Sequence, residues 1–166
     1  MRSIIAAIDS FNEKIGQLNS LLVLPLVGVV VYEIIMRYLF NAPTVWGFEM
    51  TMFIYGVHYM LGLALTENRE GHVKVEILTS RFSKKGQAWF NIIGYALLFF
   101  PVFGMMAYAA VAYAWTSIGL LEVNNTSWAP PIWPVKSLMA LGFVMLFLQG
   151  LNTFLKNIQM LREIRQ

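Results

Sequence analysis

Four long apolar blocks dominate this 166-residue chain, and a block of about 20 apolar residues is what a helix needs to cross the roughly 30 Å hydrocarbon core of a bilayer. The residues are 58% hydrophobic and 13% charged, against about 25% charged in a soluble domain. One soluble core of this chain length could not bury that much apolar surface. The predicted fold class is an all-α integral membrane protein of four transmembrane helices, with both termini cytoplasmic and with short amphipathic interfacial helices. The spans are expected at about 18–40, 45–65, 89–115 and 135–154, in a single domain covering 1–166. Cysteine is absent, which excludes disulfide frameworks, thiolate metal sites and cysteine nucleophiles. The net charge of +3 is carried beside the apolar blocks, so it reads as an orientation signal and not as a nucleic-acid surface.

Ahead of the first block, Ile4, Ile8, Phe11 and Ile15 recur at helical spacing, with Ser3, Asp9, Asn12 and Glu13 on the other side. That pattern predicts an interfacial helix over about 3–16 lying along the membrane surface, its polar residues turned away from its apolar face. The acid-containing opening and the lack of a small-residue cleavage site predict that the first block is retained as an anchor. A turn at Asn41-Ala42-Pro43-Thr44 makes the first two spans an antiparallel hairpin. Between spans two and three, Lys74, Val75, Leu78, Arg81 and Phe82 fit a second interfacial helix over about 74–82. The alternation of Val73, Val75 and Ile77 also fits a strand, but a lone strand edge beside a membrane leaves its backbone unsatisfied. Pro101 is expected to kink the third span.

Lysine and arginine of short loops stay on the cytoplasmic face. Arg2, Lys14, Arg69, Lys74, Arg81, Lys84, Lys85, Lys156, Arg162 and Arg165 fall on one side of the four-span layout, and Arg37 and Lys136 near the other. Trp46, Trp115, Trp128 and Trp133 then mark the outer interface and Trp89 the inner one, as aromatic belts do.

Three ionisable residues stand near the outer ends of the first two spans. Glu33 and Arg37 are spaced i, i+4 on one helix face, and the hairpin brings Glu49 within reach of Arg37. These residues form either a polar clamp joining helices or an ion or proton site. His58, the histidine within a span, is read as an interhelical hydrogen-bonding residue or as a haem ligand. A bis-histidine haem would need a second histidine at its depth, and His72 lies in a connection. Met50, Met52 and Met60 read as adaptable packing. No phosphate loop, paired-carboxylate arrangement or Ser/His/Asp set can be assembled, so no enzymatic activity is expected.

The run Arg37-Tyr38-Leu39-Phe40-Asn41 followed by Pro43, Trp46 and Glu49, the segment Gly71-His72-Val73-Lys74-Val75-Glu76, and the stretch from Trp128 through Pro130, Pro131, Trp133 and Pro134 to Lys136 with Gly142-Phe143 and Leu148-Gln149-Gly150 belong together. With them the chain resembles the small membrane subunit of tripartite ATP-independent periplasmic (TRAP) transporters. Glu76 and Ala140 stand where such proteins often hold Asp and Pro.

The resemblance implies a bacterial inner-membrane, multi-pass scaffold for a large elevator-type membrane subunit, which would carry the substrate and sodium sites. No cofactor is expected in this subunit. A periplasmic substrate-binding protein would deliver an organic acid, docking with help from outer residues Asn41, Thr44, Trp46, Glu122, Asn124, Asn125, Trp128 and Trp133. The expected partners are therefore the large subunit, the binding protein and membrane lipids, with no nucleic acid. A reading from another class is a membrane anchor for a redox complex, in which His58 meets a haem or quinone held partly by another chain.

Overall fold

The computed structural model describes residues 2–69 and 82–164. Its helices are α1 (Arg2–Ser20), α2 (Val23–Tyr38), α3 (Gly47–Asn68), α4 (Lys84–Gly94), α5 (Phe100–Gly119) and α6 (Trp133–Ile164), with a π-helical turn at Tyr95–Phe99 joining α4 to α5. No strand occurs among the described residues. The fold is all-α, with four helical stretches long and apolar enough to cross a membrane: Ile5–Tyr38, Gly47–Asn68, Lys84–Gly119 and Trp133–Glu163. The expected interfacial helix at 74–82 lies outside the described residues except for Phe82, which is exposed and stacks on Phe90 at 6.4 Å.

Proline accounts for both irregular places within these stretches. Pro25 has no N–H to give the Leu21 carbonyl, and that oxygen accepts instead from Leu24 at 3.1 Å, tightening the step from α1 to α2 into a single turn. Pro101 likewise cannot bond back one helical turn, and the neighbouring Phe100 N–H reaches to the Tyr95 carbonyl, the wider π spacing. The break expected at Pro101 is thus a π turn on its N-terminal side. The helices also run beyond the expected spans. Past the expected end of the fourth span at about 154, α6 continues to Ile164.

The long helix α6 is the hub, since α1, α3, α4 and α5 all pack on it while α2 packs on α3. In the most apolar part of its span 39% of residues are buried, against 6%, 11% and 6% for the other three, so three of the four spans turn most of their apolar surface outward. Small residues allow the helices to approach. Ala64, Ala107, Ala114 and Ala140 are buried. A Cβ on Gly142 would lie 2.8 Å from the Met60 carbonyl oxygen of α3, and one on Gly150 would overlap the Phe99 ring.

The polar face of α1, whose side was left open by the sequence pattern, packs against the protein. Asp9 and Asn12 are turned into the protein, and Phe11 and Leu18 face outward. The reason lies in α6, where Gln149, Asn152 and Lys156 occupy one face at i, i+3 and i+7 and offer the hydrogen bonds that water would otherwise supply.

Candidate functional site

Polar chemistry collects at the two ends of the helix layer. At the end expected to face outward, the outer end, the turn between α2 and α3 is closed by Glu33. Its carboxylate accepts from Arg37 Nη2 at 2.6 Å, from the Thr44 backbone N–H at 3.2 Å and from the Thr44 hydroxyl. Thr44 in turn accepts from the Gly47 N–H at 3.1 Å, which satisfies a first-turn donor of α3. A Cβ on Gly47 would meet Glu33 Oε2 at 2.7 Å, so a side chain here would have to displace the Glu33 carboxylate. Glu33 and Arg37 do form the expected ion pair. Glu49 does not join them: its carboxylate accepts from Asn124 Nδ2 at 3.0 Å. The three-residue clamp is therefore two separate ties, because Thr44 reaches Glu33 first and the loop before α6 reaches Glu49.

That loop is a small closed hairpin. Val123 and Pro131 pair across it, the Asn124 N–H donates to the Pro130 carbonyl at 2.8 Å, and the Ile132 N–H donates to the Glu122 carbonyl at 2.9 Å. Leu121 and Ala129 hold positive φ, 46° and 47°, where the chain reverses. Glu122 accepts from Lys136 Nζ at 2.5 Å, and that ammonium sits 4.0 Å above the Tyr113 ring centroid of α5. The Lys136 ammonium holds the Glu122 carboxyl below the usual carboxylate range.

An aromatic ladder joins the two outer connections. Tyr32 stacks on Trp46 at 5.7 Å, Trp46 meets Trp128 at 6.5 Å, and Trp128 stacks with Phe53 at 6.4 Å. Of the remaining expected outer residues, Asn125 is exposed and gives only its backbone N–H to Asn124 Oδ1 at 3.1 Å. Asn41 is exposed at φ 50°. Trp133 is half-buried at the start of α6, its carbonyl accepting from Ser137.

At the other end, α1, α3 and α6 share a polar network. Asp9 accepts from Gln149 at 3.0 Å, Asn152 at 2.8 Å and Lys156 at 2.8 Å. Gln149, fully buried, also accepts from Asn12 at 2.6 Å and donates to Asn68 at 3.1 Å. Arg69 pairs with Glu13, and that hydrogen bond raises the arginine above its ordinary value. Half-way up, Asn19 Nδ2 donates to the His58 carbonyl at 2.8 Å while His58 Nδ1 lies 3.0 Å from the Asn19 carbonyl. His58 is thus a tie between α1 and α3.

The sequence profile of the family described as tripartite ATP-independent periplasmic transporters, DctQ component, matches residues 26–160, which is most of the chain. The chain belongs to this DctQ-component family. It is also 24% identical over 86 residues to the sialic acid TRAP transporter permease protein SiaT of Haemophilus influenzae (strain 86-028NP), a match covering 52% of this chain and 14% of that relative. The family and the four apolar stretches make it a multi-pass protein of the inner membrane and a membrane component of a TRAP transporter.

Within the DctQ-component chain, the outer ties were partly foreseen through Glu33, Arg37 and Glu49. The inner network was not, because its Asn, Gln, Asp and Lys members are scattered over 147 residues of sequence separation between Asp9 and Lys156. One signal was available: the polar positions 149, 152 and 156 recur at helical spacing within and just after an otherwise apolar block, and a polar stripe at lipid depth calls for a polar counterpart.

Proposed function

We propose that this chain is the scaffold subunit of a TRAP-type secondary transporter, supporting a large elevator-type membrane subunit and helping to dock the periplasmic substrate-binding protein during sodium-coupled uptake of an organic acid. The observation that carries this reading is the outward-turned apolar surface of three spans, of which 6%, 11% and 6% of the most apolar residues are buried. Two ends pinned by polar ties and a middle left bare describe a rigid part built to be covered by another membrane chain. The spread of lysine and arginine supports a cytoplasmic location for both termini.

For docking, the outer residues divide into two groups. Glu33, Thr44, Glu49, Glu122 and Asn124 are spent on internal ties, and they hold the surface in shape. Asn41 and Asn125 are exposed beside them and are the polar residues of that set free to meet a binding protein. Reconstitution tests the reading. Proteoliposomes holding both membrane subunits, given a sodium gradient and binding protein loaded with its organic acid, should accumulate solute, and omission of this chain should abolish uptake. Asn125→Arg should weaken the dependence of uptake on binding-protein concentration without reducing the yield of the membrane complex. Full uptake without this chain would refute the proposal.

A further inference from the structure

A shallow apolar groove of about 350 Å³ runs along α4, the π-helical turn and the first turn of α5. Phe90 and Gly94 line one end, and Leu98, Val102 and Phe103 the other. Its two polar members are already engaged with the rest of the protein. Asn91 donates to Asn157 of α6 at 3.2 Å, and the Tyr95 hydroxyl donates to Glu67 of α3. What the groove offers outward is hydrocarbon. Gly94 creates the hollow, since a Cβ placed there would meet nothing within 4 Å.

Length and depth select the occupant. From Phe90 to Val102 the helix rises about 18 Å, close to the roughly 15 Å of one leaflet's hydrocarbon. The lower end is level with Asn157 and Glu67, near the ends of α6 and α3 on the lysine-rich side, and the groove stops part-way across. A partner helix would call for a channel continuing through both leaflets. One acyl chain needs only this length.

Charge selects the headgroup. Lys84 and Lys85 are exposed in the first turn of α4, where Ser83 caps the helix by accepting from the Gly86 N–H. Lys84, Gln87, Asn91 and Gly94 follow one another at i, i+3, i+7 and i+10, so a lysine stands on the groove's own face at the level of the headgroups. Two ammonium groups and the positive end of a helix dipole favour a phosphate bearing net negative charge. We propose that this groove is a binding site for an anionic phospholipid of the lysine-side leaflet, with one acyl chain laid along Phe90 to Val102 and its phosphate against Lys84 and Lys85.

Native mass spectrometry of the full-length chain, purified in detergent and exposed to equal amounts of phosphatidylglycerol and phosphatidylcholine of the same chain length, tests the site. The wild type should retain phosphatidylglycerol preferentially. Lys84→Gln with Lys85→Gln should cut that preference by roughly fivefold per lysine while leaving some of both lipids bound. Gly94→Leu places a side chain in the hollow and should reduce retention of both lipids, with Gly94→Ala intermediate and the helical circular dichroism unchanged. Retention of phosphatidylglycerol by Gly94→Leu at the wild-type level would overturn the proposal, as would a headgroup preference that survives loss of both lysines. Unchanged lipid binding combined with loss of the large subunit from Gly94→Leu complexes would assign the groove to a protein partner instead.

Discussion

The Asp9 carboxylate of α1 accepts a hydrogen bond from the fully buried Gln149 of α6 at 3.0 Å, joining residues 140 positions apart. Around this bond Asn12, Asn68, Asn152 and Lys156 complete a network that ties the first helix to the hub. Replacing Asp9 by Ala leaves three donors facing a site with no acceptor, and a stranded buried polar group costs about 1–3 kcal/mol. Asp9→Ala should therefore lower the unfolding free energy in mixed micelles by about that amount. Asp9→Asn, which keeps an acceptor oxygen, should lose less. Equal loss from both variants would mean that charge, and not hydrogen bonding, holds α1.

The outer turn gives a contrast between two partners of one ion pair. Arg37 is half-exposed and Glu33 largely covered, with side-chain exposures of 51% and 13%. Arg37→Ala removes only an exposed ion pair, which contributes little to stability. Glu33→Ala also frees the Thr44 backbone N–H and hydroxyl, and should destabilise the turn more. Thermal unfolding of the two variants should rank Glu33→Ala clearly below Arg37→Ala.

Much of the fold could be read from the sequence because lipid imposes one simple condition, long apolar helices with charged residues kept off them. The four spans and the irregularity at Pro101 follow from that condition and from proline's missing N–H. The side of α1 that faces the protein did not follow, since an amphipathic pattern shows two faces and leaves open which one meets protein. Gln149, Asn152 and Lys156 decide it from the far end of the chain. Glu49 shows the same limit. Its distance from Arg37 along the hairpin suggested a clamp, but Asn124, 75 residues on, supplies the hydrogen bond. Pairings within one helix, such as Glu33 with Arg37, are fixed by spacing, whereas pairings between distant helices depend on packing that no local pattern encodes.

Glycines predict opposite outcomes according to what surrounds them. A methyl group on Gly142 would press on the Met60 backbone at 2.8 Å, whereas one on Gly56 meets nothing within 4 Å. Gly142→Ala should destabilise by about 1–3 kcal/mol through forced separation of α3 and α6. Gly56→Ala should be neutral or add up to about 0.5–1 kcal/mol, the usual gain of alanine over glycine within a helix. Denaturation of both variants in one detergent system checks the pair.

The outer loop should respond to acid in a defined window. Lys136 holds the Glu122 carboxyl below its ordinary value of about 4.3. A depressed folded-state pKa means that the tie is fully present above the ordinary value and is lost as pH falls through the lower, folded one. A nitroxide at residue 125 should keep its mobility from neutral pH down to about 4.3 and loosen only below it. In Glu122→Gln the same label should show no acid transition there.

Capture of this chain from its native membranes through a C-terminal tag, followed by native mass spectrometry, tests the scaffold reading most directly. The account predicts a stoichiometric complex with a large multi-span subunit, held together through the apolar faces of the spans Ile5–Tyr38, Gly47–Asn68 and Lys84–Gly119. Recovery of the chain alone, with those faces covered only by lipid, would contradict it.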